Sequence, residues 1–138
     1  MKRLTNKQQA ARIDRIMDRW LRRLDLYNTW DICVELVCGS HFPSQPDDTT
    51  VLASIEFNEP YRRATISLNC GLAAIMSDAD LEHNLLHELV HVLVRPVVAA
   101  AVDHIPKVAT EHFRQAHESV TDTITHLLLW DRKGERNR

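Results

Sequence analysis

The length of 138 residues predicts one domain spanning residues 1–138, and a composition that is 44% hydrophobic and 26% charged is typical of a soluble globular protein. No uninterrupted apolar run approaches the roughly 20 residues of a membrane-spanning helix, and the first residues lack the apolar stretch of a signal peptide. The three cysteines, Cys33, Cys38 and Cys70, form no C-x-x-C pair and are odd in number. This pattern predicts free thiols and a cytoplasmic location.

The net charge of −2 is unevenly distributed along the chain. Residues 1–23 carry 8 Lys or Arg against 2 Asp, whereas residues 24–130 carry 5 basic and 15 acidic residues. An acidic body suits a site that holds a divalent cation, and a basic N-terminal helix can bind nucleic acid or an acidic partner. A basic run of this kind is more often a solvated helix face, which is the interpretation we favour.

The first half of the chain predicts one helix, one strand and one loop. From Thr5 to about Leu26 the apolar residues recur at helical spacing, which predicts an amphipathic helix. Its apolar side is formed by Ile13, Ile16, Met17, Trp20, Leu21 and Leu24. Trp30 to Leu36 alternates with period two and predicts a half-buried strand. The polar, proline-containing stretch from Gly39 to Thr50 predicts a loop.

Two more strands are predicted, at Val51 to Phe57 and at Arg63 to Leu68, with a turn at Asn58-Glu59-Pro60 between them. The inward residues are Val51, Ala53, Ile55 and Phe57 in the first of these strands and Ala64, Ile66 and Leu68 in the second. A strand, a turn and a strand predict an antiparallel hairpin. We therefore expect a small three-stranded sheet that is mostly antiparallel.

Two helices are predicted after the strands. Ser77 is a suitable N-cap for a helix from about Asp78 to Val94, and Arg95-Pro96 should end it because a residue before Pro avoids the helical conformation. Val97 to Val102 predicts another turn or two of helix, and Lys107 to Leu129 predicts a long C-terminal helix. The expected buried face of that last helix consists of Val108, Phe113, Ala116, Val120, Ile124, Leu127 and Leu128.

The order of these elements predicts an α+β domain. A helix, three strands and two helices indicate helices packed on one face of a small sheet, with residues 132–138 as a frayed tail.

The segment His87-Glu88-Leu89-Val90-His91 carries the strongest chemical signal, the pattern H-E-x-x-H inside an apolar helix. Residues four apart on a helix are neighbours on one face, roughly 5–6 Å apart at Cβ, so two imidazoles at this spacing can bind one metal ion. Glu88 directly follows the first His and can reach a water at the metal's open position. The pattern is typical of zinc proteases.

A catalytic zinc ion usually takes three protein ligands and one water, so a third ligand must come from elsewhere in the chain. The segment Glu118-Ser119-Val120-Thr121-Asp122 resembles the E-x-x-x-D motif of the thermolysin-like gluzincins. That resemblance implies Glu118 as the third zinc ligand and Asp122 as the acceptor of a hydrogen bond from a zinc-bound His. A Glu and an Asp four apart share a helix face, so one can bind the ion while the other orients an imidazole.

Other third ligands are compatible with the sequence. The metzincin extension is absent, since Val94 and Val97 stand where Gly and His would be needed. In length and order of elements the chain resembles the minimal zincins of the ImmA/IrrE and SprT-like kinds. In SprT-like proteins a His after the motif helix is the third ligand, which would suit His104 or His112. The remaining alternatives are His117, Glu111 and the pair His83/His87, whose first His is not followed by a Glu in the way that Glu88 follows His87.

These observations predict a cytoplasmic, zinc-dependent metallopeptidase that acts on a protein or peptide. Zinc would acidify its bound water and polarise the scissile carbonyl, and Glu88 would act as general base. Candidates for the donor to the oxyanion are Tyr61, His112, His117 and Arg114. An extended substrate would pair with a sheet edge, for which we expect Arg63 to Leu68.

Two alternative functions stay open. The first is a non-catalytic metal-binding or regulatory module with a zincin fold. The second is a nucleic-acid-associated, SprT-like protease that binds through its basic ends, although the chain lacks a zinc ribbon and an aromatic-basic stacking motif.

Overall fold

The computed structural model describes residues 6–38 and 52–136 and has the predicted α+β class. The helices are α1 (Asn6–Arg23), α2 (Cys70–Ala73), α3 (Asp78–Val102) and α4 (Thr110–Arg136), with 3-10 turns at Glu59–Tyr61 and Lys107–Ala109. The strands are β1 (Asp31–Val37), β2 (Ala53–Asn58) and β3 (Arg63–Asn69). The loop predicted at Gly39 to Thr50 lies outside the described residues.

The sheet is mixed, so the prediction of a mostly antiparallel sheet is wrong. The strand order is β1-β3-β2, with β2 antiparallel to β3 and β1 parallel to β3. The β2–β3 hairpin is therefore confirmed, but β1 pairs with the strand two places later in the chain. Because β3 is hydrogen-bonded on both sides, the expectation that Arg63 to Leu68 forms a substrate-binding edge is also wrong.

Contacts between Cα atoms divide the chain into two compact units, residues 1–88 and 89–138, and the boundary falls inside α3. The single-domain interpretation stays a prediction. The core of the first unit contains residues of α1 and β3 that periodicity placed inward, together with residues of α3. Its buried apolar residues include Ile13, Ile16, Met17 and Trp20 of α1, Ala64, Ile66 and Leu68 of β3, and Leu81, Leu85 and Leu86 of α3.

A buried arginine joins α1 to the segment that leads into α3. The Arg12 side chain donates to the carbonyl of Ala73 at 3.2 Å, to the carbonyl of Met76 at 2.6 Å, and to the Asp78 carboxylate. Arg12 itself is only 5% exposed. Its guanidinium therefore satisfies two backbone carbonyls and one carboxylate where α3 begins.

A second polar link joins α1 to α3 one turn further along. The buried carboxylate of Glu82 accepts hydrogen bonds from Trp20 Nε1 and Arg19 Nη1, both at 2.9 Å. Burial of an unpaired carboxylate would be costly, so these two donors make Glu82 compatible with the core.

Helix α3 begins as predicted but ends later. The Ser77 hydroxyl accepts a hydrogen bond from the backbone N–H of Asp80 at 3.1 Å, which is the expected N-cap contact. The predicted stop at Arg95-Pro96 is wrong, because the helix continues through Pro96 to Val102. Proline lacks an N–H and its ring crowds the carbonyl four residues earlier, which weakens a helix but need not end it, and the apolar residues beyond Pro96 continue the helix.

Because α3 is not interrupted, it is long and apolar enough to cross a membrane by length and composition, and it is the one such helix in the described part of the chain. The core helix of a soluble protein meets the same criterion, so this finding alone does not show that α3 crosses a membrane.

Helix α4 differs from its prediction at its end and in its buried face. Residues 132–136 are helical, so the predicted tail is wrong for them. Thr121 and Thr125 are fully buried, whereas Val120 and Leu127 are 52% and 64% exposed. The predicted face was drawn through apolar residues alone, but two threonines occupy the centre of the buried stripe. Val108, which was also placed inward, is exposed.

A disulfide bond joins Cys38 to Cys70, with 5.2 Å between their Cα atoms. The two cysteines directly follow β1 and β3, whose parallel register ends with Val37 opposite Asn69. Cys38 and Cys70, which come next after these two residues, are therefore close enough to form the bond. The expectation of free thiols is wrong for this pair and holds for Cys33, which is free and exposed. The predicted cytoplasmic location rested on free thiols and loses that support.

Candidate metal centre

The two histidines of the motif lie one turn apart on the uninterrupted helix α3. His91 is buried, with 9% of its surface exposed, and His87 is half-buried. Glu88, between them in sequence, is also 9% exposed. The apolar residues around the motif hold this part of the helix in the interior, namely Leu85, Leu86, Leu89, Val90 and Val92, all with no exposed surface.

Helix α4 brings Glu118 to the motif. The Glu118 Oε2 atom lies 3.6 Å from His91 Nε2, and the Glu118 side chain is 42% exposed. Two ligand atoms about 2.1 Å from a tetrahedrally coordinated zinc ion are about 3.4 Å apart, which is close to this separation. The pair therefore has a spacing that an ion could bridge with little movement.

His87, His91 and Glu118 form a group whose potential ligand atoms all lie within 4.8 Å of one another. Among residues 6–38 and 52–136 it is the one group of three or more such side chains. Two imidazole nitrogens and one carboxylate oxygen are a ligand set that zinc takes in hydrolases. The donor chemistry of this group fits the metal that the sequence predicted.

His117 also contacts the group, from the position directly before Glu118. Its Nε2 atom lies 3.4 Å from His91 Nδ1, and the two rings meet edge to face with centroids 4.9 Å apart. On its other side the His117 ring stacks on Phe113, with centroids 6.3 Å apart and planes inclined by 22°. The sequence named His117 only as a rival ligand or an oxyanion donor, and no residue pattern indicated its contact with His91.

The remaining candidates lie at or near the surface. Asp122 is exposed one turn after Glu118, and its backbone carbonyl accepts a hydrogen bond from His126 Nδ1 at 2.8 Å. Its predicted hydrogen bond to a metal-binding imidazole stays a prediction. Tyr61 is 77% exposed, and His104 and His112 are exposed and outside the three-residue group.

Arg114 is paired with Glu111 on the surface of α4. Its guanidinium donates two hydrogen bonds to the Glu111 carboxylate, at 3.0 and 2.8 Å, and Gln115 donates a third at 3.0 Å. The bonds from Arg114 are the main cause that lowers the pKa of Glu111, and the same contact raises the pKa of Arg114. Both side chains are thus engaged with each other, which weighs against Glu111 as a ligand and Arg114 as an oxyanion donor.

Comparison with protein-family models, curated proteins and solved structures gave no match to this chain. The resemblance to zincins therefore depends on the two short motifs and on the geometry described above.

Proposed function

We propose that this protein is a zinc-dependent metallopeptidase. The observation that carries the proposal is the convergence of an H-E-x-x-H helix and Glu118 of α4 on one point, with the three ligand atoms within 4.8 Å. The motif lies on α3 and Glu118 on α4, and their convergence supports a metal site more strongly than the pattern alone.

Three ligands, rather than four, favour a catalytic site over a structural one. Structural zinc sites are usually closed by four protein ligands, often Cys, whereas catalytic sites keep one position open for water. Within the described residues the group offers two His and one Glu, with no Cys. A metal ion held by these three ligands would keep one coordination position open for a water or substrate molecule.

Each residue of the site would have a distinct role in the reaction. His87, His91 and Glu118 would bind the ion, which when bound supplies a Lewis acid that acidifies water and polarises a carbonyl. Glu88 would accept the proton of the attacking water and pass it to the leaving amine. The low exposure of Glu88, 9%, would help to keep bulk water from competing for that proton.

The test combines metal analysis with a peptidase assay on unfolded protein substrates. Purified parent protein should retain about one zinc per chain after dialysis, as expected for a single three-ligand site. Glu118→Ala should lose the metal, whereas Glu111→Ala, two turns earlier on the same helix and outside the group, should retain it. Zinc retained in full by Glu118→Ala would exclude Glu118 as a ligand.

Glu88→Gln separates binding from catalysis. This variant should keep its zinc and lose at least about 100-fold in rate, the usual contribution of a general base. Cleavage at the parent rate would refute the role of Glu88. A parent protein that binds zinc and cleaves no substrate would instead favour the non-catalytic metal-binding module.

A further inference from the structure

We propose that His117 is a positioning residue for the metal ligand His91, an inference that rests on the metal site proposed above. The Nε2 atom of His117 accepts a hydrogen bond from Nδ1–H of His91 and thereby leaves the Nε2 lone pair of His91 directed toward Glu118. Helix α4 would then supply two consecutive residues to the site, one that binds the ion and one that orients a ligand.

The two ring nitrogens of His91 face different neighbours. Nδ1 lies 3.4 Å from His117 Nε2, and Nε2 lies 3.6 Å from Glu118 Oε2. A neutral imidazole carries one proton, and the nitrogen that binds a metal must be the one without it. A metal shared with Glu118 therefore requires Nε2 to be bare and Nδ1 to carry the hydrogen.

An Nδ1–H group in this place needs an acceptor. His91 is 9% exposed, so a donor on this ring would have little access to water, and an unpaired buried donor is costly. His117 Nε2 lies 3.4 Å from this nitrogen, and it accepts when the His117 proton is on its own Nδ1. Metal-binding histidines almost always donate their other N–H to such an acceptor, which fixes the tautomer and the ring orientation.

The ring of His117 is itself held in place. It stacks on Phe113, one turn earlier on α4, and meets the edge of the His91 ring. With its Nε2 occupied in this way, His117 has that nitrogen available neither as the third ligand nor as an oxyanion donor.

Two substitutions separate the acceptor from the ring. His117→Phe keeps an aromatic ring that can stack on Phe113 but has no acceptor, whereas His117→Gln places an amide oxygen near the position of Nε2. The zinc Kd of each folded variant would be measured by competition with a chromophoric chelator. We expect His117→Phe to raise Kd about 10- to 100-fold, the usual effect of losing such a partner, and His117→Gln to stay within about threefold of the parent.

A control and a second readout complete the experiment. His112→Phe removes an exposed histidine of the same helix and should leave Kd unchanged. Nitrogen-15 NMR of the zinc-loaded parent should show His91 protonated at Nδ1 and bound to metal through Nε2.

Three results would overturn the inference about His117 while leaving the metal site in place. An unchanged Kd for His117→Phe would remove its role, and a Kd for His117→Gln as weak as that for Phe would show that the acceptor is not what matters. Metal bound through Nδ1 of His91 would contradict the assigned tautomer. A parent protein with no zinc affinity would overturn the metal site itself, and the inference with it.

Discussion

Arg12→Met tests whether the buried guanidinium anchors the beginning of the motif helix. The substitution keeps most of the side-chain stem but leaves the carbonyl of Ala73, which is buried, without this donor, at a cost of about 1–3 kcal/mol. The half-buried carbonyl of Met76 adds about 0.5–1.5 kcal/mol. The side chain of Asp78 is 78% exposed, so loss of its ion pair costs at most about 1 kcal/mol.

The free energy of unfolding should therefore fall by about 2–4 kcal/mol, equivalent to roughly 6–15 °C in Tm for a chain of this size. Thermal and urea unfolding followed by circular dichroism, with a chelator present so that metal binding does not contribute, would measure it. Two controls are available. Asp78→Asn should cost less than about 1 kcal/mol, and Arg15→Met, at an exposed position of α1, less than about 0.5 kcal/mol. A loss under 1 kcal/mol for Arg12→Met, or an equal loss for Asp78→Asn, would refute the assignment of the cost to the buried carbonyls.

Two further predictions concern the described residues outside the candidate site. Thr121 Oγ1 is buried with no hydrogen-bond partner in the described part of the chain, whereas Thr125 Oγ1 donates to the Thr121 carbonyl at 2.8 Å. Urea unfolding should therefore show Thr121→Val stabilised by about 1–2 kcal/mol and Thr125→Val not stabilised, and equal changes would contradict this reasoning. Thiol titration of the denatured protein should find one free cysteine before reduction and three after it. Reduction should lower stability by about 3–4 kcal/mol, since the disulfide spans 32 residues. Three thiols before reduction would exclude the bond.

Local periodicity was sufficient to predict the parts of the fold that depend on one burial stripe. The apolar face of α1 and the alternation of β3 appear in the structure as buried side chains, because each element buries one face and the spacing of apolar residues records that face. The N-cap at Ser77 was equally local, since it involves one side chain and the N–H three residues later.

The errors have three different physical causes. The parallel pairing of β1 with β3 was hidden, because strand alternation is the same in either direction. Pro96 was read as a stop, although a helix can lose one hydrogen bond and continue if the residues beyond it favour the helix. On α4 the buried stripe passes through Thr121 and Thr125, and apolar spacing carries no information about buried hydroxyls.

The candidate site likewise has one part that helical geometry alone determines and another that depends on the meeting of two helices. His91 is close to His87 and to Glu88 because helical geometry makes positions four and three apart neighbours, so this part of the site could be predicted from the sequence alone. Glu118 was reached through a resemblance, and its contact with His91 depends on how the chain returns after α3. His117 illustrates what a linear motif omits. Consecutive residues on a helix point about 100° apart, so His117 and Glu118 can contact different nitrogens of one imidazole. An E-x-x-x-D pattern points to Asp122, one turn after Glu118. The structure places His117, the residue directly before Glu118, in contact with His91.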